Sequence, residues 1–310
     1  MTTQITSTTK TATDIPISRA QAWILAARPK TLPAAVVPVV VASAVAASEG
    51  LFAPLPAVVA LVCALLIQIG TNLANDYFDF MKGADSADRI GPVRVVQSGL
   101  IPPATVRNAM IAVFVLTFIL GLYLVFVGGW PILLIGVASI ICAVLYTAGP
   151  YPLAYVGLGD VFVFLFFGIV AVTGTYYVQT LQWSVDALIA SLPVGAISTA
   201  ILVVNNYRDI DTDRDANKKT LAVRIGRRAT RMEYRLLLLV AYVVPLYQFL
   251  QESQPLWLLL PLLSIPFAVS VLLVVEKSRD GAALNGALAG TGKLLALYGV
   301  LYSAGYMLTF

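Results

Sequence analysis

Two groups of aspartates carry the chemistry available to this sequence. The first is Asp76, Asp79, Asp85 and Asp88, within NLANDYFDFMKGADSADRI; the second is Asp209, Asp211, Asp213 and Asp215, within NNYRDIDTDRDANKKTLAVRIG. Each follows an apolar run that ends in two asparagines, Asn72 and Asn75 in one case, Asn205 and Asn206 in the other. On a helix Asp76 and Asp79 share a face, as do Asp209 and Asp213, so like charges are held together and repel. A hard divalent cation resolves that repulsion, and Mg²⁺ in particular binds through a few carboxylates together with substrate phosphates. The chain contains no histidine, which excludes histidine triads, HExxH zinc sites and histidine proton shuttles. Basic residues interleave with the acids: Lys82, Arg89 and Arg94 near the first group, and Arg208, Lys218, Lys219 and Arg224 near the second. Carboxylates for a metal and cations for phosphate oxygens are the two halves of a diphosphate site.

The elements that must position these groups are written for lipid. Of 310 residues 59% are hydrophobic and 12% charged, against roughly a quarter charged in soluble domains. Apolar runs long enough for a hydrocarbon core, which takes about 20 helical residues, lie near 32–49, 54–75, 105–127, 131–149, 158–178, 186–206, 236–251, 255–275 and 289–309. The expectation is an all-α membrane protein: one domain over residues 21–310, nine transmembrane helices bundled around a central cavity, preceded by a disordered tail over residues 1–20 with no apolar core of a signal peptide. Cys63 and Cys142 lie alone in apolar runs and read as packing residues. All twenty Lys and Arg fall before the first run or in alternate loops, and the opposite loops hold only Glu49, Asp186 and Glu252. The positive-inside rule then puts the N-terminus in the cytoplasm, the C-terminus outside and both aspartate groups at the cytoplasmic end, in the inner (cytoplasmic) membrane of the cell. The lipid bilayer is the expected surrounding, and no nucleic-acid partner is expected.

Four stretches give the sequence a family resemblance: RPKTLPAAVVPV (28–39), residues 72–94 with the first aspartate group, AGPYPLAYVGLGD (148–160), and residues 205–226 with the second group. They resemble the UbiA superfamily of intramembrane aromatic prenyltransferases, which carry two Asp-rich motifs on helices 2 and 6 of a nine-helix bundle. Within it they look most like the menaquinone-pathway members that prenylate 1,4-dihydroxy-2-naphthoate. One departure stands out. After Asn75, Asp76 and Asp79 the family's first motif would place its last Asp at position 83, which here is Gly83, so Asp85 either substitutes or lies outside the metal shell.

The resemblance implies a Mg²⁺-dependent transfer of a prenyl group from polyprenyl diphosphate to 1,4-dihydroxy-2-naphthoate. Its metal ligands would be Asp76, Asp79, Asp209 and Asp213, with Asp85 as a fifth, and Asp211 and Asp215 on the solvated face. Arg208, Lys218 and Arg224 would assist the departing diphosphate, with Lys82 and Arg94 from the other loop. Arg28, Lys30, Asn72 and Asn75 would orient the acceptor, and Tyr77, Tyr151 or Tyr207 would face the allylic cation. Asp160 is placed either in proton transfer or acceptor binding, or in capping the helix it starts. Other acceptors (4-hydroxybenzoate, homogentisate, a chlorophyllide) and a phytyl donor stay open. A cation-coupled transporter is the rival class, but transporter sites lie at the midplane, and here the charges stop at one interface.

Overall fold

The computed structural model describes residues 17–83, 91, 93–251 and 255–309, and among them there is no strand. The helices are α1 (Arg19–Ala27), α2 (Pro33–Ser48), α3 (Pro54–Met81), α4 (Pro103–Gly128), α5 (Trp130–Leu145), α6 (Gly159–Thr180), α7 (Val185–Arg208), α8 (Ile210–Asp215), α9 (Leu221–Phe249), α10 (Leu256–Lys277) and α11 (Gly281–Met307). Each of the nine apolar runs lies on one of these helices. Five of them, α3, α4, α6, α7 and α10, are long and apolar enough to cross a membrane; α1 and α2, bent by 50° at the break between them, make a sixth span if taken together. The helix α5 is apolar but has 16 residues. It lies against α3 and α4.

Punctuation in the sequence explains the ends. Proline stands in the first turn of α2, α3, α4 and α5, where a missing N–H costs nothing. Ser18 caps α1 in a box with Gln21, so the last residues of the segment expected to be tail, 18–20, belong to a capped helix; residues 1–16 lie outside the described ones. Within α6, residues Phe164–Val170 form a π-helical turn, and there Gly168 meets Gly195 of α7 backbone to backbone. The helix α9 is kinked at Gly226, whose φ of 76° is left-handed. The largest buried cluster joins α2, α6, α7, α9, α10 and α11, and includes Tyr298 and Tyr302. A smaller one gathers α1, the C-terminal half of α3, α4 and the loop residues Val95 and Val96.

Candidate active site

The first motif is an extension of α3 beyond its apolar part, and its acids turn inward. Asp76 and Asp79 are buried. Asp76 accepts two backbone N–H bonds from the following loop, from Val95 at 3.0 Å and Val96 at 3.2 Å. Asp79 accepts from the Arg94 guanidinium at 2.9 Å and from the Tyr155 hydroxyl at 2.8 Å. The loop of residues 93–101 is therefore tied to α3 by both carboxylates. Asp85, Asp88 and Arg89 lie outside the described residues.

The second motif breaks at the end of α7. Arg208 and Asp209, adjacent in sequence, form a buried two-point ion pair, Nε to Oδ1 at 2.7 Å and Nη2 to Oδ2 at 2.6 Å. The same guanidinium donates to Asn205 Oδ1 at 2.9 Å and to Asn285 Oδ1 on α11 at 2.7 Å. Asp213, one turn along in α8, is buried and lies 3.7 Å from Lys218 Nζ. Asp211 and Asp215 are exposed, and Asp211 pairs with Arg227 at 2.7 Å.

Tyr155, from the segment between α5 and α6, joins the motifs. Lys82 Nζ lies 4.9 Å and Lys218 Nζ 5.2 Å from its ring centre, and its carbonyl accepts from the Lys219 N–H at 3.1 Å. Lys82 also donates to the Thr147 and Gly149 carbonyls at 2.6 and 3.2 Å. Partial desolvation there pulls its pKa below the ordinary lysine value, with the Asp79 charge opposing. Thr147 in turn donates to Asn75 Oδ1 at 2.9 Å.

Below these charges a cavity of about 400 Å³ opens, walled by the apolar parts of α3 to α7. Asp79, Arg94, Asn75, Asn72, Arg28 and Lys218 stand at its polar end, and Tyr146, Phe162, Phe166 and Phe167 line its flank. The cavity thus has a charged end and an apolar shaft, the two surfaces an ionic headgroup on a hydrocarbon chain requires. Arg28 reaches it from a left-handed backbone position, φ 51°, at the C-cap of α1. Such a conformation is uncommon for a side-chain-bearing residue and clusters at functional sites.

Residues 35–306 match the UbiA prenyltransferase family. The chain belongs to that family. It is 40% identical over 304 residues to 1,4-dihydroxy-2-naphthoate octaprenyltransferase of Escherichia coli K12, covering 96% of this chain and 98% of that protein. It is 40% identical over 276 residues to the protein of the same name in Mycobacterium tuberculosis, covering 89% and 93%. Human UbiA prenyltransferase domain-containing protein 1 is 31% identical over 290 residues, covering 92% of this chain and 83% of that one. Among solved structures, the UbiA homolog from Archaeoglobus fulgidus bound to DMAPP and Mg²⁺ shares the fold with a TM-score of 0.65 at 13% identity, covering 91% of this chain and 99% of that one.

Against this UbiA fold the expected site residues sort themselves. Asp79, Arg94 and Lys218 line the cavity, whereas Asp76, Lys82, Arg208, Asp209 and Asp213 lie outside its lining, at or just past the C-terminal ends of α3 and α7. Asn72 donates to the Ala27 carbonyl at 3.0 Å and to Thr31 Oγ1 at 3.1 Å, so it holds the break between α1 and α2 as well as lining the cavity. Lys30 and Arg224 are exposed and outside the cavity lining; Arg224 donates to the Lys219 carbonyl at 3.1 Å and packs over Gly157. Tyr151 is 80% exposed, and Tyr207 is buried under Arg227, 5.3 Å from its ring centre, outside the cavity lining. Tyr77 packs edge-on against Phe78. Asp160 is buried in the first turn of α6, with Oδ2 accepting no hydrogen bond.

The four motif aspartates are oxygen donors with no competing nitrogen or sulfur ligand beside them, a donor set that suits Mg²⁺. Among the described residues no three acids share a metal-sized shell. Each of Asp79, Asp209 and Asp213 instead faces a cation, so the charges of the site are balanced pairwise.

Proposed function

We propose that this chain transfers a polyprenyl group from a polyprenyl diphosphate to 1,4-dihydroxy-2-naphthoate, releasing diphosphate and CO₂ and forming demethylmenaquinol. The observation that carries the reading is the 40% identity over nearly the full length of both chains to an octaprenyltransferase for that acceptor. The cavity supports it, because a charged end continuous with an apolar shaft matches the donor's two parts. The nine apolar helices, α2–α7 and α9–α11, all cross the membrane in this reading, with the N-terminus cytoplasmic, the C-terminus outside and the site at the cytoplasmic face of the inner membrane; the one-sided distribution of Lys and Arg supports that orientation.

Asp76, Asp79, Asp209 and Asp213 would hold Mg²⁺, which supplies neutralisation of the charge that gathers on the diphosphate as the allylic C–O bond breaks. Arg94, Arg208 and Lys218 each sit beside one of those carboxylates and present N–H donors to phosphate oxygens. Tyr146, Phe162, Phe166 and Phe167 line the flank of the cavity, where aromatic side chains would exclude water and stabilise the cationic carbon. The ring carbon that bears the carboxylate forms the new C–C bond, and the electrons of the breaking C–CO₂ bond restore the aromatic ring. Arg28, at the polar end, orients the carboxylate until it leaves.

Purified protein in detergent, given labelled polyprenyl diphosphate, the naphthoate and Mg²⁺, should release one diphosphate and one CO₂ per prenyl group transferred, and none with EDTA. Diphosphate without CO₂ would replace the naphthoate by another acceptor; release of neither would remove the reading.

A further inference from the structure

Two hydrogen-bonding groups in the cavity lie too deep for the diphosphate and have no partner. Gln68 on α3 is 7% exposed and Ser198 on α7 is 3% exposed; both line the cavity, and Gln68 Oε1 and Ser198 Oγ accept and donate nothing. Each stands eleven positions before a motif aspartate, Asp79 and Asp209 respectively, which is about 16 Å along a helix axis. Leaving a buried polar atom without a partner is costly, so two at matching depth ask for a ligand.

The network fixes what that ligand must offer. Thr31 Oγ1 gives its proton to the Arg28 carbonyl at 2.9 Å, and its lone pairs accept from Gln68 Nε2 and Asn72 Nδ2, both at 3.1 Å. A flipped Gln68 amide would set oxygen against oxygen, so the nitrogen is committed to Thr31 and Oε1 can only accept. A diphosphate is an acceptor as well, and a prenyl chain offers no polar hydrogen. A phenolic O–H donates.

We propose that Gln68, with Ser198 opposite, is the specificity-determining site for the hydroxyl of the aromatic acceptor that lies farthest from its carboxylate. The proposal rests on the reading above. In a 1,4-dihydroxy-2-naphthoate the 1-hydroxyl is bonded internally to the neighbouring carboxylate, which leaves the 4-hydroxyl as the free donor on the far edge of the ring. Arg28 and Asn75 mark the carboxylate end; Gln68 lies seven residues before Asn75, about 10 Å along α3, a distance one ring system with a hydrogen bond at each end spans. Sites built to bond a substrate hydroxyl reject the analogue that lacks it strongly, because the protein's polar group is then left bare.

The test compares 1,4-dihydroxy-2-naphthoate with 1-hydroxy-2-naphthoate as acceptors for wild type, Gln68→Met and Ser198→Ala, with one prenyl diphosphate. The inherent reactivity difference of the two naphthols cancels in the ratio of ratios. Wild type should favour the diol in kcat/KM; Gln68→Met should reduce that preference at least tenfold, mainly through the KM for the diol, and leave the KM for the prenyl diphosphate unchanged; Ser198→Ala should do the same more weakly. Should Gln68→Met fold poorly, Ser198→Ala carries the test alone, and an unaltered preference there overturns the proposal. An unaltered preference in both Gln68→Met and Ser198→Ala overturns the proposal. A wild type that prenylates neither naphthol defeats the functional reading instead.

Discussion

The hydroxyl of Tyr155 donates to Asp79 Oδ1 at 2.8 Å, and through that bond the segment between α5 and α6 touches the first motif while its ring faces Lys218 of the second. Asp79, Tyr155, Lys218 and Asp213 therefore form one chain of contacts across the charged end of the cavity. Neither motif alone forms that end.

Tyr155→Phe keeps the ring under Lys82 and Lys218 and removes only the bond to Asp79. A hydrogen bond to a charged group contributes about 1.5–3 kcal/mol, so kcat/KM should fall about 10- to 100-fold with a higher Mg²⁺ requirement, and stability in detergent should fall by no more than that amount. Tyr155→Leu, which also takes the ring from the two lysines, should fall further. A Tyr155→Phe enzyme as active as wild type would show that the bond is incidental.

Asp76→Asn replaces an acceptor of two backbone N–H groups with an amide that can accept at one oxygen only and sets an NH₂ against the other donor. Turnover should be lost and the 93–101 loop should become sensitive to protease, while the bundle stays folded. Asp209→Asn, which breaks the two-point pair with Arg208, should abolish turnover with no new cleavage in that loop. Asp215→Asn, on the exposed face of α8, should stay within about twofold of wild type, as surface substitutions do.

The contrast between these aspartates also shows what spacing can and cannot reveal. Asp76 and Asp79, and Asp209 and Asp213, are found from i, i+3 and i, i+4 spacing because a helix converts sequence distance into a face. The same arithmetic assigns Asp211 and Asp215 to solvent. Loops have no such conversion. Tyr151 and Tyr155 are four apart in an irregular segment, and only the folded chain reveals that the first is exposed and the second reaches Asp79. Gln68, Asn72, Asn75 and Asp79 form a stripe at helical period on α3, but a neutral glutamine inside an apolar run has no charge to mark it as part of the site. Arg28 is visible as a cation near a helix, yet its left-handed backbone is set by the α1–α2 break and not by its residue type.

Orientation can be read chemically. With Cys63 and Cys142 replaced by alanine, a cysteine at exposed Asp215 should react with a membrane-impermeant thiol reagent only after cells are opened, and one at exposed Gln182 should react in intact cells. The reverse pattern would invert the topology.

The close approach of α6 and α7 makes the last expectation structural. A Cβ on Gly195 would lie 2.9 Å from the Phe164 carbonyl oxygen and 3.1 Å from Gly168 Cα, both backbone atoms that cannot swing aside. Gly195→Ala should therefore push the π-helical turn outward and cost about 1–3 kcal/mol, the range for overpacking a tight contact. Because that turn carries Phe166 and Phe167 into the cavity, the same substitution should raise the KM for the prenyl diphosphate. Gly121 on α4 and Gly136 on α5 also line the cavity, but a Cβ on either meets nothing within 4 Å. Alanine there should leave thermal stability unchanged or raise it slightly, since each glycine in a helix interior costs up to about 1 kcal/mol relative to alanine. Equal melting temperatures for Gly195→Ala and Gly121→Ala in the same detergent would show that the α6–α7 contact is looser than its backbone distances require.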